Sequence, residues 1–354
     1  MGKYVLRRMA WIIPVLLLVA GITFILMHAA PGGPWDRDPN QRQVDATTQK
    51  LLNERFNLNQ PLGQQFVSYM FVDVKEGKTG GIGTLDLGIF GTYTIGDKSA
   101  GKVVCGALCA NLGPSYRQRG REVENILFDV PAGKSPLDSR FGFSVRLGLL
   151  ALILSIVVGI PIGILAALRR NTRFDYISMF VSTVGVSVPN FVIGIFLIII
   201  FASGLKLISV IPRSWDQPEA WVIPALVLGF ATLAFTARLT RASMLEVLRQ
   251  DYIRTARAKG LPERDVIWGH AIKNAMIPVV TVLGPALAGL VTGSFIIETM
   301  FGFPGIGREY VQSISNRDYS MIMGTSLIYA VLIAVANLSV DLVYGLLDPR
   351  IKVE

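Results

Sequence analysis

The sequence predicts an all-α membrane protein with six transmembrane helices. Hydrophobic residues make up 51% of its 354 residues and charged residues only 17%, a balance typical of membrane proteins. Long uncharged runs recur along the chain, and among the short segments that separate them lysines and arginines are concentrated in alternate ones. The net charge of +9 therefore indicates membrane topology rather than binding to nucleic acid.

Six uncharged runs are long enough to cross the hydrocarbon layer, because a spanning helix needs about 17 to 25 apolar residues. They cover residues 9–30, 147–168, 177–205, 221–237, 275–297 and 320–340. The first exceeds the apolar part of a signal peptide, roughly 7 to 15 residues, so we expect a retained anchor helix over residues 1–30. The third contains Pro189 and is too long for one perpendicular crossing, which predicts a kink or an interfacial part.

The charges between the runs predict the orientation. Cytoplasmic segments are expected to be rich in lysine and arginine. The cationic residues of the expected inner segments are Lys3, Arg7, Arg8, Arg169, Arg170, Arg173, Arg238, Arg241, Arg249, Arg254, Arg257, Lys259, Arg264, Lys273, Arg350 and Lys352. The short outer loops hold only Lys206, Arg213, Arg308 and Arg317. Both termini are therefore expected in the cytoplasm.

Residues 31–141 form the one long segment outside the runs, between the first and second helices. In this topology the segment is an extracytoplasmic insertion, and its glycine-rich sequence predicts mixed or irregular structure. It contains both cysteines of the chain, Cys105 and Cys109. A disulfide is permitted on that side of the membrane, but two free thiols are equally compatible with the sequence.

Residues 142–354 are expected to form a five-helix core, and one cationic link in it differs from a plain loop. In "DYIRTARAKGLPERD", residues 251–265, Gly260 and Pro262 interrupt a helix. A short amphipathic helix is expected to follow, at about residues 261–275. Its apolar face would hold Val266 and Trp268, and its polar face His270. Such a helix suits docking to a cytoplasmic partner, while a polybasic loop that fixes topology or binds acidic lipid is the competing interpretation.

Two acidic residues lie near the ends of the last two runs, Glu298 and Asp341. Placing an acidic side chain at membrane depth costs free energy, so such a residue usually has a specific role. The two residues indicate either the ion site of a secondary transporter or hydrogen bonds at helix ends. Their boundary position favours the hydrogen bonds. The chain has only two histidines, His28 and His270, and nothing resembles a catalytic triad or a zinc set. We expect no enzyme activity, no metal and no cofactor in this chain.

The cationic link carries a resemblance to a known family. "DYIRTARAKGLPERDVIWGHAIKNAMIPVVTVLG" resembles the ATPase-coupling loop of inner-membrane permease subunits of ATP-binding cassette importers, in their dipeptide/oligopeptide/nickel group. The resemblance extends in order through "LRRMAWIIPVLLLVAGITFILMHAAPGGP", "FNLNQPLGQQF", "GIPIGILAALRRNTRFDY", "SVPNF", "ARLTRASMLEVLRQDY", "IIETMFGFPGIGREYVQSISNRDY" and "NLSVDLVYGLLDPRI".

This resemblance implies a type I importer permease core. It also implies that the protein is located in the cytoplasmic (inner) membrane of a bacterium or archaeon. It implies four kinds of partner: a homologous second permease, two cytoplasmic ATPase subunits that hold ATP and magnesium, an extracytoplasmic binding protein, and the membrane itself. The residues it assigns to ATPase coupling are Arg254, Arg257, Gly260, Glu263, Arg264 and His270. Apart from the resemblance, we expect a gating or structural role for Glu298, Pro304, Gly305 and Asp341. Short peptides are the expected substrate, with nickel or another small solute as the alternative; the substrate-binding residues are unknown.

Overall fold

The computed structural model describes residues 2–35, 45–75, 82–86, 92–94, 101–118, 120–206, 209, 212, 214–291 and 295–347. Within these ranges the helices are α1 (Gly2–Ala29), α2 (Ala46–Arg55), α3 (Leu62–Met70), α4 (Val123–Phe128), α5 (Arg140–Leu168), α6 (Arg173–Ser187), α7 (Asn190–Leu197), α8 (Glu219–Val247), α9 (Asp251–Ala258), α10 (Glu263–Asp265), α11 (Ile272–Val291), α12 (Phe295–Met300), α13 (Ile306–Asn316) and α14 (Tyr319–Leu347). The strands are β1 (Val72–Lys75), β2 (Ile82–Asp86), β3 (Thr92–Thr94) and β4 (Gly101–Cys105). π-Helical stretches cover Ile198–Gly204 and Val266–Ala271, and 3₁₀ turns cover Ala107–Cys109 and Pro136–Asp138.

Five helices of the described part of the chain are long and apolar enough to cross a membrane. They are Leu6–Ala29, Arg140–Leu168, Glu219–Val247, Glu263–Val291 and Tyr319–Ser339. A sixth crossing is available if Arg173–Ser187 and Asn190–Gly204 count as one span, and these two helices meet at an angle of 113°. The bend lies at Val188 and Pro189 because proline has no amide hydrogen and disfavours helical geometry in the residue before it. The kink expected in this run is thus confirmed.

The chain divides into two compact units. The first consists of Met1–Met9, Gly142–Arg308 and Leu332–Glu354, and the second of Ala10–Phe141 and Glu309–Val331. The predicted insertion, residues 31–141, falls within the second unit, together with most of α1, most of α13 and the first part of α14.

In the first unit, α8 packs against α5, α6, α7 and α11. Two positions show how closely α5 and α8 approach. A Cβ added to Gly163 on α5 would lie 2.5 Å from the carbonyl oxygen of Ala237, and one added to Gly229 on α8 would lie 2.7 Å from that of Ala151. Real Cβ atoms do not approach backbone oxygens so closely, so glycine is required where these two helices meet.

Two apolar clusters fill the first unit, and their compositions differ. The aromatic cluster is centred on the buried side chains of Trp221, Phe301 and Phe303. In it, the rings of Trp221 and Phe303 meet edge to face with centroids 4.9 Å apart, a favoured arrangement of aromatic pairs. The aliphatic cluster holds smaller side chains: Ala167, Met244, Ile253, Ala256, Val266, Ala271 and Ala275.

The second unit combines helices with a four-stranded sheet of order β1-β4-β2-β3. Strand β4 pairs antiparallel with β1 and parallel with β2, and β2 pairs antiparallel with β3. Helix α2 begins at Asp45, whose carboxylate accepts hydrogen bonds from the amides of Thr47 (2.6 Å) and Thr48 (3.3 Å). These bonds satisfy amides that have no partner within the helix. They also lower the pKa of Asp45, and the bond from the Thr47 amide has the largest effect.

Asp318 lies in the second unit and forms hydrogen bonds to its loop regions. Its side chain is buried, with 3% of its surface exposed. Its carboxylate accepts hydrogen bonds from the Ser115 hydroxyl (2.5 Å) and from the amides of Tyr116 (3.1 Å) and Arg117 (3.3 Å). It also accepts a bond from the amide of Met321 in the first turn of α14 (3.2 Å). A buried carboxylate needs such partners, so the loop 115–117 and the start of α14 are held together.

Candidate functional site

The cationic link between α8 and α11 is a firmly built turn, centred on Gly260. The amide of Leu261 donates to the carbonyl of Ala256 (3.4 Å), and that of Gly260 donates to the carbonyl of Arg257 (2.9 Å). This is the Schellman pattern that ends many helices, and it needs a left-handed residue after the cap. Gly260 supplies that conformation, with a φ of +77°.

An ion pair joins the two sides of this turn. The Arg257 guanidinium donates from Nε to Oε2 of Glu263 (3.1 Å) and from Nη2 to Oε1 (2.7 Å). Arg257 lies in the last turn of α9 and Glu263 in the first turn of α10, so each charge also opposes the dipole at its helix end. The side chains are 42% and 56% exposed, so water solvates the pair.

We call residues 251–275 the coupling segment. Its inward side chains, Ile253, Ala256, Val266, Ala271 and Ala275, belong to the aliphatic cluster, where they meet Ala167 of α5 and Met244 of α8. In addition, the side-chain amide of Asn274 donates to the hydroxyl of Tyr252 on α9 (2.9 Å). The segment is therefore packed onto the ends of α5 and α8 and is not a loose loop.

The six residues assigned to ATPase coupling all lie on the exposed side of this segment: Arg254, Arg257, Gly260, Glu263, Arg264 and His270. Trp268 joins them, with 67% of its surface exposed, so its assignment to the apolar face is wrong. Two residues turn a helix by about 200°, so Trp268 faces away from the buried Val266 whether the turn is α-helical or π-helical. Val266 and Ala271, at the two ends of the π-helical stretch, are both buried.

The helix that begins at Glu263 does not stop at Pro278. It runs through the π-helical stretch and α11 to Val291 as one apolar helix of 29 residues, and Pro278 and Pro285 lie inside it. A displacement of the coupling segment is therefore a displacement of the end of a membrane helix.

Glu298 lies in the short helix α12 and is fully buried. Its Oε1 accepts a hydrogen bond from the Ser144 hydroxyl (2.9 Å), and its Oε2 accepts from the amides of Gly307 (2.8 Å) and Arg308 (3.2 Å). The Ser144 hydroxyl in turn accepts from the amide of Ile306 (2.9 Å). Glu298 and Ser144 thus bind the first amides of α13, which a helix leaves without partners. We call Ser144, Glu298 and residues 305–308 the Glu298 cluster.

The other residues given a gating or structural role are placed as follows. Gly305 lies in the Glu298 cluster, and a Cβ there would collide with Oε2 of Glu298 and Oγ of Ser144. Pro304 precedes it in the turn between α12 and α13. Asp341 lies in α14, but its side chain is outside the described residues.

Cys105 and Cys109 form a disulfide with Cα atoms 5.8 Å apart. It links the end of β4 to the 3₁₀ turn Ala107–Cys109, within the normal range of Cα separations for a disulfide. No group of three or more potential metal ligands was found among the described residues.

One partly buried ion pair in the first unit is not predicted by the sequence. Arg241 on α8 donates from Nε to Oδ1 of Asp175 (2.5 Å) and from Nη2 to Oδ2 (2.8 Å). The sequence predicts Arg241 only as one of the cationic residues of the inner segments, and it gives Asp175 no role. The two residues are 66 positions apart, so no local pattern pairs them; the only signal is an acidic residue at the start of a largely apolar helix.

Together, the several apolar helices and the packed, cationic coupling segment define the class: a multi-span membrane protein with one structured link exposed between two spans. Residues 159–353 match the family model described as "Binding-protein-dependent transport system inner membrane component". The chain belongs to this family.

Similarity to curated proteins extends over the whole chain. It is 36% identical over 352 residues to the dipeptide transport system permease protein DppB of Bacillus subtilis, covering 99% of this chain and 98% of that protein. It is 32% identical over 352 residues to the oligopeptide transport system permease protein OppB of Salmonella typhimurium, covering 99% and 100%. A solved structure titled "Crystal structure of an amino acid ABC transporter with histidines" has a TM-score of 0.44 and 19% identity, over 56% of this chain and 88% of that one.

Proposed function

We propose that this chain is a permease subunit of an ATP-driven importer and forms half of the membrane pathway for short peptides. The observation that carries the proposal is its full-length similarity to curated dipeptide and oligopeptide permeases. In the proposed complex a homologous second permease supplies the other half of the pathway. Two cytoplasmic ATPase subunits bind ATP and magnesium, and an extracytoplasmic binding protein delivers the peptide.

The proposed topology has six crossings, with the bent pair α6 and α7 counted as one. The lysines and arginines of the termini and of the short segments between spans then lie mostly on one side, and the positive-inside rule makes that side the cytoplasm. Both termini and the coupling segment are cytoplasmic, and residues 31–141 are extracytoplasmic. The disulfide between Cys105 and Cys109 supports this orientation, because disulfides persist in oxidising compartments.

The coupling segment is proposed to dock into a cleft of an ATPase subunit. Its outward side offers charged groups, such as Arg264, beside the exposed indole of Trp268. Tryptophan and arginine are the side chains that most often dominate binding energy at protein interfaces. The inward side is packed onto the ends of α5 and α8, so a push on the segment would move those helices.

Glu298, Pro304 and Gly305 are proposed to have a structural role. The carboxylate of Glu298 is occupied by three hydrogen-bond donors from Ser144, Gly307 and Arg308. An ion relay needs an exchangeable site in an aqueous path, which these contacts do not favour. A role for Asp341 stays a prediction.

The first experiment separates this function from an intrinsic pump. The chain is purified alone and in complex with its second permease, ATPase subunits and binding protein. We expect no ATP hydrolysis by the chain alone, and peptide-dependent hydrolysis and uptake by the complex in proteoliposomes. Uptake driven by a proton or sodium gradient without ATPase subunits would contradict the proposal. Uptake of nickel but not of peptides would support the role as an importer permease and would contradict the proposed peptide substrate.

The second experiment tests the docking surface. A photoreactive phenylalanine analogue is placed at Glu263 or Trp268, both on the exposed side of the segment, and at Ile277 as a control. Ile277 is 62% exposed but lies further along the same helix, at an expected membrane depth. We expect cross-links to the ATPase subunit from the first two positions and none from Ile277. Equal cross-linking from all three positions would contradict docking at this surface.

A further inference from the structure

We propose that the ion pair of Asp175 with Arg241 is a mechanical joint that transmits movement of the coupling segment to the bent helix pair α6–α7. Both are positioning residues in this sense, because neither needs to touch the transported peptide. The inference rests on the proposed function and deepens it, since it names a route from the coupling segment into the membrane helices.

The contact has the geometry of a rigid joint. Two parallel hydrogen bonds of 2.5 and 2.8 Å fix the guanidinium of Arg241 against the carboxylate of Asp175. Oδ2 of Asp175 also accepts a bond from the amide of Asn171 (3.0 Å), so the turn before α6 is bound too. The side chain of Asp175 is 2% exposed and that of Arg241 is 24% exposed. Planar two-point pairing resists rotation as well as separation, which a single apolar contact does not.

On the α8 side, the joint lies next to the coupling segment. Arg241 is three residues, about one helical turn, from Met244, which is fully buried in the aliphatic cluster. That cluster also contains Ile253 and Val266 of the coupling segment. A displacement of the segment therefore reaches the turn of α8 that carries Arg241 through packed side chains, which transmit strain because protein interiors are nearly incompressible.

On the α6 side, the joint lies at the start of the bent pair. Asp175 is in the first turn of α6, and the chain bends by 113° after Ser187. Helix α7 then packs back on α8, where the Asn190 amide group donates to the carbonyl of Leu228 (3.4 Å). The pair α6–α7 thus makes polar contacts with α8 at Arg241 and at Leu228, and the ion pair is the one closer to the coupling segment.

The energetics favour a positioning role over a stabilising one. Burying a carboxylate costs free energy that its partner only offsets, so such an ion pair is weak support for stability, and in some proteins it selects one arrangement. Between Asp175 and Gly185, α6 meets α8 through small or apolar groups: a Cβ on Gly185 would lie 2.7 Å from that of Ala234. The ion pair adds directed hydrogen bonds to this close packing, and these fix the register of α6 on α8.

The test measures coupling in the complete complex, as peptide taken up per ATP hydrolysed. Asp175→Asn and Arg241→Gln are compared with Arg238→Gln. Arg238 is on the same helix, is exposed, and has no ion pair among the described contacts. We expect uptake per ATP to fall at least tenfold in the first two variants, with ATP hydrolysis retained. We expect less than a twofold change for Arg238→Gln and partial recovery in the exchanged double variant Asp175→Arg with Arg241→Asp.

A purely structural role gives a different result. Uptake and hydrolysis would then fall together with the amount of assembled complex, and uptake per ATP would stay constant, which overturns the proposal. If Asp175→Asn fails to assemble, Asp175→Glu keeps the charge but lengthens the joint by one methylene, and an unchanged ratio there also overturns it. If the unsubstituted complex takes up no peptide, this result contradicts the proposed function and not the proposed role of the ion pair.

Discussion

The Glu298 cluster and the coupling segment use glutamate in opposite ways. Glu298 is fully buried, and both of its oxygens accept hydrogen bonds from within its own unit. Glu263 is 56% exposed and makes two hydrogen bonds with Arg257. Water can replace the partners of Glu263 but not those of Glu298. Burial, more than the number of hydrogen bonds, therefore decides how much each carboxylate contributes to stability.

The largest expected effect comes from removing the buried carboxylate. Glu298→Ala leaves the Ser144 hydroxyl and the amides of Gly307 and Arg308 without their acceptor. Each unsatisfied buried group costs about 1–3 kcal/mol, so we expect the free energy of unfolding in detergent to fall by about 3 kcal/mol or more. The exposed Glu246 is the matched control. We expect Glu246→Ala to change the free energy of unfolding by less than about 0.5 kcal/mol. Equal effects would remove the distinction between the two regions.

The next effect comes from filling the space beside that carboxylate. Gly305→Ala places a methyl group against Oε2 of Glu298 and Oγ of Ser144. Overpacking of this kind costs about 1–3 kcal/mol, which thermal unfolding of the purified variant would detect. Gly63→Ala is the control, because a Cβ at Gly63 meets nothing within 4 Å. A normal melting temperature for Gly305→Ala would show that the cluster is loosely packed.

A smaller effect is expected at the turn of the coupling segment. Gly260→Ala meets no atom within 4 Å, but its φ of +77° strains any residue with a Cβ. The left-handed conformation costs such a residue about 1–2 kcal/mol. Gly269→Ala, also without neighbours within 4 Å and in helical geometry, should be neutral or slightly stabilising. Chemical unfolding of the two variants checks the difference, and similar values would contradict the role given to the backbone.

The smallest effect is expected from the exposed ion pair. Arg257→Ala should lower the free energy of unfolding by less than about 1 kcal/mol, because exposed pairs are largely compensated by water. The loss should shrink further in 1 M salt, where the screening length is about 3 Å. Denaturant titrations at low and high salt provide the measurement. A loss as large as that of Glu298→Ala, independent of salt, would overturn the comparison.

The sequence predicted much of the coupling segment correctly because its signals are local. A glycine followed by Leu261 and Pro262 predicts the end of one helix and the start of the next, and the structure has both. The direction of Trp268 was not predictable in this way. Helical periodicity places Trp268 about 200° from Val266, so the two cannot share one face, and only the packing against α5 and α8 decides that the face of Val266 is the buried one.

The sequence by itself determined the membrane helices, the break at Pro189 and the cationic link. Each of these features depends on residues that are close together in the sequence. Only the tertiary structure decided which polar groups meet. The amides of α13 that Glu298 binds follow it by nine and ten residues, Ser144 precedes it by 154, and Arg241 finds Asp175 across 66 positions. Such partners are chosen by how helices pack, since a buried charge accepts whichever donors the packing brings to it.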